Sequence, residues 1–491
     1  MMFSKVLVAN RGEIAARIMR TAKEMGIATV AVYHHLDRGA PHVRMADEAV
    51  ELDGDVPTKA YLDQEQIIGI CARLGVEAIH PGYGFLSENA EFAERVTKAG
   101  IVFIGPDAGA MHLMGDKVRS RNFAAEHGVP VAPSVLQGDD PENFLARAKA
   151  IGFPLLIKAS AGGGGKGMKI VREAGDLVEA VRTASSEAER YFGDGLVYAE
   201  KLVERGRHIE VQVIGDGTGR VLHLCERECS IQRRYQKIVE EAPAPNLSDD
   251  LRQRIRAAAV RLASAAKYRN AGTIEFILGA DGDFYFLEMN TRLQVEHPVT
   301  EMILGLDLVA EQFRVAAGEG LSFRQEDIKP SGHAIEVRIC AEEPEKDFRP
   351  AIGRVGLLRL PKGEGVRFDG GIAEGQAVTP AFDSMLAKLI AHGGTRAEAI
   401  SRMKLALADL ALLGVPTNID YLARVMAHPA FAAARIDTGF LSEHAGTLNP
   451  DDAVAELERA ACAAAALAQS DFRRLAFDVP EPHAAMGGWR N

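Results

Sequence analysis

The first part of the chain alternates short apolar runs with amphipathic stretches. The apolar runs lie at residues 5–9, 29–33, 49–52, 78–80 and 101–105. Helical periodicity separates them, for example from Glu13 to Met25 and from Glu88 to Lys98. Buried strands that alternate with helices are typical of a parallel sheet with crossover helices. The segment therefore predicts an α/β domain.

A dinucleotide-binding role for this domain is disfavoured. The first strand is followed by Asn10-Arg11-Gly12, with a single glycine, and the nearest glycine motif begins at Gly82 but has Ser87 where the third glycine belongs. The glycines of a dinucleotide fingerprint provide the tight turn and the close approach of backbone to pyrophosphate, so their absence argues against this class.

A second unit begins near residue 130 and carries a glycine run at 162–165. Consecutive glycines allow backbone N–H groups to approach an anion closely. The run is not a Walker P-loop, because Lys166 precedes Gly167 instead of Ser or Thr and leads into a strand. A flexible linker is the alternative. The flanking strands, with Lys158 and Lys166, favour a mobile loop that covers phosphate.

Two further patterns place charge in this region. An apolar strand at 196–203 is interrupted by Glu200-Lys201, and the next strand has His208, Glu210 and Gln212 on one face. A basic cluster follows, consisting of Arg233, Arg234 and Lys237. In an acidic protein, this local positive charge favours triphosphate or bicarbonate over nucleic acid, with a solvated charged face as the alternative.

A predicted hairpin sets two carboxylates face to face. Asp281-Gly282 between two β-rich runs predicts a two-residue turn, which pairs Glu275 with Glu288. This register places Thr273 and Asn290 on the glutamate face; the opposite face then holds Ile274, Phe276, Leu278, Tyr285, Leu287 and Met289. Like charges opposite each other repel, so a cation such as Mg²⁺ is expected between them. The alternative is a solvated face with two unrelated glutamates.

The polar positions continue beyond the hairpin. In an extended chain, Glu288, Asn290, Arg292, Gln294 and Glu296 would lie on one side of the strand. At roughly 3.3 Å per residue, this ladder would span about 26 Å, from a nucleotide phosphate to a second substrate. An ordinary edge strand is the alternative.

Composition restricts the class of protein. The chain has 491 residues, of which 47% are hydrophobic, which is enough for several domains. A net charge of -11 disfavours a nucleic-acid partner. Five cysteines fit neither a zinc site nor a disulfide framework, so Cys225 and Cys229 are predicted to be reduced core thiols. We find neither a membrane span nor a signal peptide and expect a cytoplasmic protein, or a mitochondrial matrix protein in a eukaryote.

Several motifs in order carry a resemblance to a known family. They are VANRGEIAARI, HPGYGFLSENAEFA, MGDK, IKASAGGGGKGM, ECSIQRR, EEAPAP, the two-glutamate hairpin, NTRLQVEHPVTE and FDSMLAKLI, over about residues 3–446. In sequence and spacing they resemble biotin carboxylases, the ATP-grasp subunits or domains of biotin-dependent carboxylases, with the acyl-CoA carboxylase α-subunit as the favoured type. The resemblance implies a Rossmann-like preATP-grasp domain (1–115), an ATP-grasp lid (130–203), a catalytic body (204–330), a C-terminal biotin carboxylase subdomain (331–446) and an Ala-rich helix and tail (447–491).

The resemblance also implies roles for individual residues. Nucleotide contacts fall on Lys117, Lys158, Gly163, Gly164, Gly165, Lys166, Gly167, Glu200, Lys201, Val203, His208, Gln232, Glu275 and Glu288. Metal ligands fall on Glu275, Glu288 and Asn290, and bicarbonate contacts on Arg292, Gln294, Val295 and Glu296. Tyr83 and Arg338 match the biotin site, and Lys237 lies near the transferred phosphate. The catalytic residues would be Arg292, Glu296, Arg338 and Lys237.

The implied reaction is ATP- and bicarbonate-dependent carboxylation of biotin through carboxyphosphate, with Mg²⁺ or Mn²⁺. Biotin would be a substrate on a carrier and not attached to this chain, because Met168-Lys169 and Met403-Lys404 lack the Met-Lys-Met pattern of carriers. The expected partners are a biotin carboxyl carrier domain or protein and a carboxyltransferase subunit, in a homodimer or a larger hetero-oligomer. The sequence does not identify the final carboxyl acceptor.

Two departures and two rival classes accompany this interpretation. Tyr235 stands where many relatives have His, and residues 349–353 are less rich in proline than expected. Another ATP-grasp ligase, joining a carboxylate to an amine, is one rival; it has no need for the ladder or Arg338. A nucleotide-sensing subunit is the other. The lone Trp489 at the chain end suggests that the chain is the N-terminal part of a longer subunit.

Overall fold

The N-terminal region is a parallel sheet covered by helices. The computed structural model describes residues 2–159, 168–449, 457 and 459–465. Its first elements are β1 (Lys5–Val8), α1 (Gly12–Glu24), β2 (Ala28–Tyr33), α2 (Pro41–Met45), β3 (Glu48–Glu51), α3 (Pro57–Ala60), α4 (Gln64–Leu74), β4 (Ala78–His80), α5 (Ala90–Lys98), β5 (Val102–Phe103), α6 (Ala108–Gly115) and α7 (Lys117–Glu126). The strands pair in parallel in the order β3-β2-β1-β4-β5, which confirms the predicted α/β arrangement.

Burial on both faces explains why these strands have continuous apolar sequences. Leu7, Val30 and Ile79 in adjacent strands are fully buried, as expected where helices cover both sides of a parallel sheet. Helix boundaries follow local sequence: the Asp63 side chain accepts a hydrogen bond from the Gln66 N–H at the start of α4, and Gly75 ends this helix in the left-handed conformation.

The second unit is a small antiparallel sheet with two helices. Its elements are β6 (Ser134–Leu136), α8 (Phe144–Ile151), β7 (Leu155–Ala159), β8 (Lys169–Val171), α9 (Leu177–Phe192) and β9 (Val197–Lys201). The strand order is β6-β9-β7-β8, and Phe144, Leu155, Leu177 and Val197 form part of its core. The glycine loop joins the antiparallel neighbours β7 and β8; the residues predicted there, Gly163, Gly164, Gly165, Lys166 and Gly167, lie outside the described residues.

The rest of the chain is built on an eight-stranded sheet. Its first half contains β10 (Arg207–Asp216), β11 (Val221–Arg233), β12 (Gln236–Ala242), α10 (Asp249–Ala265), β13 (Arg269–Leu278), β14 (Phe284–Asn290), α11 (His297–Leu304) and α12 (Leu308–Ala316). The second half contains β15 (His333–Cys340), β16 (Glu342–Glu343), β17 (Arg349–Pro350), β18 (Gly353–Arg354), β19 (Leu357–Arg359), β20 (Val366–Gly370), β21 (Ala377–Val378), β22 (Met385–Gly393), α13 (Arg396–Asp409), β23 (Ala411–Leu413), α14 (Ile419–Ala427), α15 (Pro429–Ala432), α16 (Phe440–Glu443) and α17 (Ala445–Leu448).

This large sheet continues across the predicted domain limit at residues 330 and 331. The strand order is β14-β13-β10-β11-β12-β15-β22-β20, so β12 and β15 pair directly. The two predicted units therefore share one sheet, and the limit itself stays a prediction. Three short 3₁₀ turns, at His35–Asp37, Gln325–Asp327 and Pro344–Lys346, complete the described elements. Residues 459–465 are also helical.

The predicted alternation along β10 is confirmed. Ile209, Val211 and Val213 belong to a core cluster that includes residues of α10. On the opposite face, Glu210 and Gln212 are buried beneath the segment that contains Gln294 and α11. One face of the sheet thus supplies the apolar core, and the other is a buried polar layer.

The hairpin of β13 and β14 pairs the two glutamates as predicted, but its loop and its register near the loop differ from the prediction. The predicted two-residue turn is wrong: Leu278 pairs with Phe284, and Gly279 hydrogen bonds to the carbonyl of Asp283, which leaves a three-residue loop from Ala280 to Gly282. A bulge between Phe286 and Glu288 then shifts the register by one residue. The two differences cancel, so Glu275 pairs with Glu288 and Thr273 with Asn290.

The bulge also corrects the predicted apolar face of the hairpin. Phe284 and Phe286 pack in the core with Phe276, whereas Tyr285 and Leu287, which were predicted to lie there, are only partly buried. Between the loop and the bulge, the alternation of the two sheet faces along β14 is displaced by one residue, so each side chain there lies on the face opposite to the predicted one.

The predicted extended ladder is wrong beyond Asn290. β14 ends at this residue, the chain turns through residues 291–296, and α11 begins at His297 with Glu296 at its cap position. The turn brings Glu296 back toward Glu275, so that the Lys237 ammonium contacts both carboxylates. The ladder residues therefore form a compact cluster and not a 26 Å line.

Two negative expectations from composition concern cysteines and membrane spans. Cys225 and Cys229 are buried thiols, as predicted, as are Cys71 and Cys340; Cys462 is exposed. None of the helices in the described part of the chain has the length and apolar character needed to cross a bilayer.

Candidate active site

Lys237 lies at the centre of the buried polar layer. Its ammonium donates hydrogen bonds to Glu275 Oε1 at 2.7 Å and Glu296 Oε1 at 2.6 Å, and it also contacts Glu210 Oε2. Burial opposes the charge, but the three carboxylates outweigh it and raise the pKa of Lys237 well above its ordinary value. A cation held in this way stays charged during any reaction at this site.

Arg227 is the scaffold under this cluster. It is fully buried; its guanidinium donates to Glu210 Oε1 at 2.5 Å, to Gln212 Oε1 at 2.8 Å and to Gln294 Oε1 at 2.9 Å. The Gln294 amide in turn donates to Glu275 Oε1 at 2.8 Å. The planar fork of donors therefore fixes the loop that carries Gln294 against the sheet.

Arg338 joins two carboxylates on the C-terminal side of the cluster. Its Nε donates to Glu240 Oε1 at 2.6 Å, and a terminal nitrogen donates to Glu296 Oε2 at 3.0 Å. Burial raises the pKa of Glu296, but Lys237 and Arg338 outweigh it and hold this pKa well below its ordinary value. Glu296 is therefore ionised and able to accept a proton.

The two hairpin glutamates face each other across the strand pair. Burial opposes the charge of Glu275, but Lys237 and His208 lower its pKa well below the usual range. Although Glu288 is exposed at its rim, neighbouring protein atoms desolvate its carboxyl, and together with the charge of Glu275 they raise its pKa. Asn290 donates to Glu275 Oε1 at 2.9 Å. Two facing carboxylates and an amide oxygen fit a hard divalent cation.

A second group of potential metal ligands overlaps this pair. Ligand atoms of His208, Glu210 and Glu275 lie within 4.8 Å of one another, as do those of Glu210, Cys229 and Glu296. Lys237 already occupies Glu210, Glu275 and Glu296. These groups are therefore better described as a lysine site than as metal sites.

Arg292 is oriented by Glu88, which lies in the HPGYGFLSENAEFA motif but was given no role from the sequence. Glu88, in the loop after β4, accepts from Arg292 Nε at 2.8 Å and from the Thr291 N–H at 3.1 Å. A terminal nitrogen of Arg292 donates to Asn290 Oδ1 at 2.8 Å. Burial opposes the charge, but Glu88 raises the pKa of Arg292. The N-terminal domain thus positions the predicted bicarbonate clamp.

Val295 acts through its backbone. Its carbonyl accepts a hydrogen bond from Lys388 Nζ at 2.8 Å, so the loop of the predicted bicarbonate site is tied to β22. His297 is tied to the same loop, with Nδ1 at 2.7 Å from the Gln294 carbonyl.

A charge cluster on the second unit contains several predicted nucleotide contacts. Lys158 Nζ donates to Glu200 Oε1 at 2.6 Å, and Arg121, which was not predicted from the sequence, donates to Glu200 Oε2 at 2.6 Å. Burial lowers the pKa of Lys117, and Glu288 opposes this shift. Lys117 thus lies near the hairpin residue Glu288, and Lys158 lies on the small sheet beside Glu200.

The remaining predicted nucleotide contacts in the described part of the chain lie on β9, just after it, on β10 and on β11. His208 Nε2 is 2.9 Å from Glu275 Oε2, and its Nδ1 is 2.9 Å from Gln232 Nε2. Burial opposes the charge of His208, but Glu275 raises its pKa. Lys201 donates to the carbonyls of Gly152 and Phe153 at 3.1 and 2.7 Å, so its ammonium is held by backbone. Val203 is half-buried just after β9.

Tyr83 and the basic cluster are less closely joined to the centre. The Tyr83 hydroxyl is buried without a hydrogen-bond partner, and within the described residues no hydrogen bond joins it to Arg338. Arg233 and Arg234 pair with Glu342 and Asp347, so of the predicted basic cluster only Lys237 enters the site. Tyr235 is exposed, with a positive φ of 64°.

The site residues that were not predicted from the sequence share one property. Glu88, Arg121, Arg227, Glu240 and Lys388 come from five separate elements or loops and meet the site only in the folded chain. The strand alternation of Glu210 was visible in the sequence, but nothing marked its partner Arg227, which lies within the long strand β11.

The lid-like sheet, the carboxylate hairpin and the buried cations together define an ATP-grasp enzyme that activates a small anion. Family models match along the chain: "Biotin carboxylase, N-terminal domain" at residues 2–111, "Carbamoyl-phosphate synthase L chain, ATP binding domain" at 116–324 and "Biotin carboxylase C-terminal domain" at 336–443. The chain belongs to the biotin carboxylase family.

Individual relatives agree over nearly the whole length. Biotin carboxylase of Nostoc sp. is 49% identical, over 90% of this chain and 99% of that one. Biotin carboxylase 2 of Bacillus subtilis is also 49% identical, over 90% of this chain and 100% of that one. The biotin carboxylase domain of the 2-oxoglutarate carboxylase of Hydrogenobacter thermophilus, solved as a dimer with MgADP, ADP and bicarbonate, has a TM-score of 0.89 and 46% identity, covering 92% of this chain and 100% of that one.

Proposed function

We propose that this chain carboxylates biotin on a separate carrier, using ATP and bicarbonate through carboxyphosphate. The observation that carries the proposal is the Glu296 carboxylate held between Lys237 and Arg338, beside the Glu275–Glu288 pair. One buried cluster thus contains a general base, a cation that would face phosphate, and a pair of carboxylates that could bind a metal ion. The family membership supports the same reaction.

The nucleotide would lie in the cleft between the small sheet and the hairpin. Lys117 and Lys158 would face its phosphates, together with the glycine loop at residues 163–167, while Glu200, Lys201, Val203, His208 and Gln232 would contact the base and sugar. Glu275, Glu288 and Asn290 would hold Mg²⁺ or Mn²⁺, which when bound neutralises charge on the transferring phosphoryl group. Lys237 adds a fixed positive charge beside this position.

Bicarbonate would be activated by Glu296. Bicarbonate is a poor nucleophile, so Glu296 takes its proton while Arg292, Gln294 and the backbone of Val295 hold the resulting anion. The low pKa of Glu296 guarantees the ionised form but makes it a weak base. Anionic substrates that draw Lys237 and Arg338 toward themselves raise this pKa, so the base strengthens when the site fills.

Biotin carboxylation would complete the sequence. Carboxyphosphate breaks down to CO₂ and phosphate, and the phosphate takes the proton from biotin N1. Arg338 stabilises the negative charge that develops on the ureido oxygen, and Tyr83 borders the biotin site. The glycine loop excludes water during this step.

Partners and compartment follow from the reaction and the relatives. The mitochondrial methylcrotonoyl-CoA carboxylase of Arabidopsis thaliana, whose α-subunit is 48% identical to this chain, supports a carrier and a carboxyltransferase as partners. The dimeric Hydrogenobacter domain supports a homodimer, alone or within a larger assembly. We propose a cytoplasmic site of action, or the mitochondrial matrix in a eukaryote. An acyl-CoA carboxylase is the favoured holoenzyme.

The test is ADP formation by the purified chain with and without bicarbonate and free biotin. We expect ADP formation to require a divalent cation and bicarbonate, to rise with biotin, and to yield acid-labile carboxybiotin from labelled bicarbonate. ATP turnover without bicarbonate would instead support an ATP-grasp carboxylate-amine ligase. Saturable ATP binding without turnover would support a nucleotide-sensing subunit.

A further inference from the structure

Four charged or carboxylic side chains lie on one face of the sheet next to Arg338. Glu240 on β12 and Glu336 on β15 are direct cross-strand partners, and so are Arg338 on β15 and Lys388 on β22. Direct partners point to the same side of a sheet, and residues two apart on a strand share that side. All four side chains are therefore close neighbours.

Two carboxyls in this row have oxygens that make no hydrogen bond within the described residues. Glu336 is fully buried and both of its oxygens are of this kind; Glu240 has one such oxygen, and its other oxygen accepts from Arg338. An unpaired buried carboxylate is costly, whereas a protonated carboxyl is not. Consistent with this, burial raises the pKa of Glu336 well above its usual value and that of Glu240 to about 7.

The row continues to Glu13 at the start of α1. Glu13 Oε2 forms an ion pair with Lys388 Nζ at 3.4 Å, and among the described residues neither of its buried oxygens has a well-aligned hydrogen bond. Burial raises the pKa of Glu13 to about 7. Glu13 is one of the residues that line a cleft of about 40 Å³, together with Arg11, Asp37, Gly371 and Phe382. This volume is large enough to hold a water molecule, which needs roughly 10–15 Å³.

The charged and titratable groups around Glu13 and Glu336 come from all the elements packed here. They are Arg17 of α1, Glu296 and His297 at the start of α11, Glu240 of β12, Arg338 of β15, Arg367 and Asp369 of β20, and Lys388 of β22. Burial and nearby cations lower the pKa of His297 well below its usual value, so it is neutral. Glu13 and Glu240, whose pKa values are raised to about 7, are thus the groups here that can change protonation near neutral pH.

The reaction creates a proton that must leave. ATP, bicarbonate and biotin together carry one negative charge fewer than ADP, phosphate and carboxybiotin, so one proton is released in each turnover. The biotin N1 proton departs on the phosphate. The released proton is therefore the one that Glu296 takes from bicarbonate, and Glu296 must lose it before the next turnover.

We propose that Glu240, Glu336 and Glu13 form a buried path by which this proton passes from Glu296 to water in the cleft beside Arg11. The inference rests on the proposed function. Arg338 holds Glu296 and Glu240 together at one end, and Lys388 stabilises Glu336 and Glu13 when either is ionised. Each transfer moves one proton between carboxyl oxygens, directly or through a water molecule, and needs no other reactant.

The test compares Glu336→Gln and Glu13→Gln with the unchanged chain. Glutamine keeps the shape of a protonated carboxyl, so both variants should fold, but it cannot pass a proton on. Glu311→Gln is the matched control, because Glu311 is also a buried glutamate with one unpartnered oxygen, on α12 and outside the site.

We expect Glu336→Gln to lower kcat for biotin carboxylation at least about threefold, with KM for ATP and bicarbonate unchanged. The solvent deuterium isotope effect on kcat should rise, and a pH indicator in weak buffer should show proton release lagging behind ADP formation. Glu13→Gln should behave similarly, and Glu311→Gln like the unchanged chain. An unchanged kcat and isotope effect in Glu336→Gln would overturn the path. So would a lower kcat that comes with lower thermal stability and an unchanged isotope effect. Absence of bicarbonate-dependent ADP formation in the unchanged chain would instead refute the proposed function.

Discussion

Replacing Arg338 should separate the two halves of the reaction. In Arg338→Gln, Glu296 and Glu240 lose a shared guanidinium that holds them at 3.0 and 2.6 Å. Hydrogen bonds to charged groups contribute roughly 1.5–3 kcal/mol each. The loss of charge stabilisation at the ureido oxygen should cost about 2.7–4 kcal/mol in the transition state, which lowers biotin carboxylation about 100- to 1000-fold.

The bicarbonate-dependent ATPase should respond differently. Lys237 still holds Glu296, so ADP formation without biotin should stay within about tenfold of the unchanged chain. Arg338 is one of the cations that lower the pKa of Glu296, so its removal raises this pKa. The acid limb of the ATPase profile should therefore move to higher pH.

The two activities are measured in parallel, by coupled ADP detection without biotin and by fixation of labelled bicarbonate with biotin. Arg396→Gln is the control, since Arg396 also forms a buried pair, with Glu241 Oε2 at 2.7 Å, but outside the site. It should lose comparable thermal stability and retain both activities. Equal loss of both activities in Arg338→Gln, at unchanged stability, would refute the assignment of Arg338 to the biotin step.

Three further outcomes follow from the site. Glu288→Gln should lower kcat about tenfold or more and raise the Mg²⁺ concentration for half-maximal rate, measured by Mg²⁺ titration of ADP formation; an unchanged titration would contradict its role as a ligand. Lys237→Gln leaves three carboxylates around a neutral amide, so it should lower the free energy of unfolding by about 3–5 kcal/mol and abolish ADP formation, with Lys5→Gln at a partly exposed pair as control. Burial raises the pKa of Glu13 in the folded state to about 7. The stability that this group contributes is therefore fully present below its unfolded-state pKa and is lost as pH rises through 7. Glu13→Gln should remove about 3 kcal/mol of the fall in the free energy of unfolding between pH 5 and 8, measured by thermal melts at each pH.

The pairing of Glu275 with Glu288 shows how far local pattern reaches. Its face and approximate register follow from β-alternation, which depends only on sequence spacing. The compensating loop and bulge do not, because both depend on Phe284 and Phe286 filling the core against Phe276. The glycine loop and Trp489 lie outside the described residues, so the expectations for them stay predictions.

Strand period and residue type are local properties, so the sequence alone predicts the parallel N-terminal sheet, the polar face of β10 and most of the charged residues of the site. Which of these charges meet depends on the tertiary fold. Glu296 reaches Lys237 because the chain turns after Asn290, and Arg227 lies beneath Gln294 because β11 and the loop pack together. The path through Glu336 and Glu13 joins a strand and a helix more than three hundred residues apart. Contacts between buried charges depend on packing across the whole fold, and no local pattern encodes them.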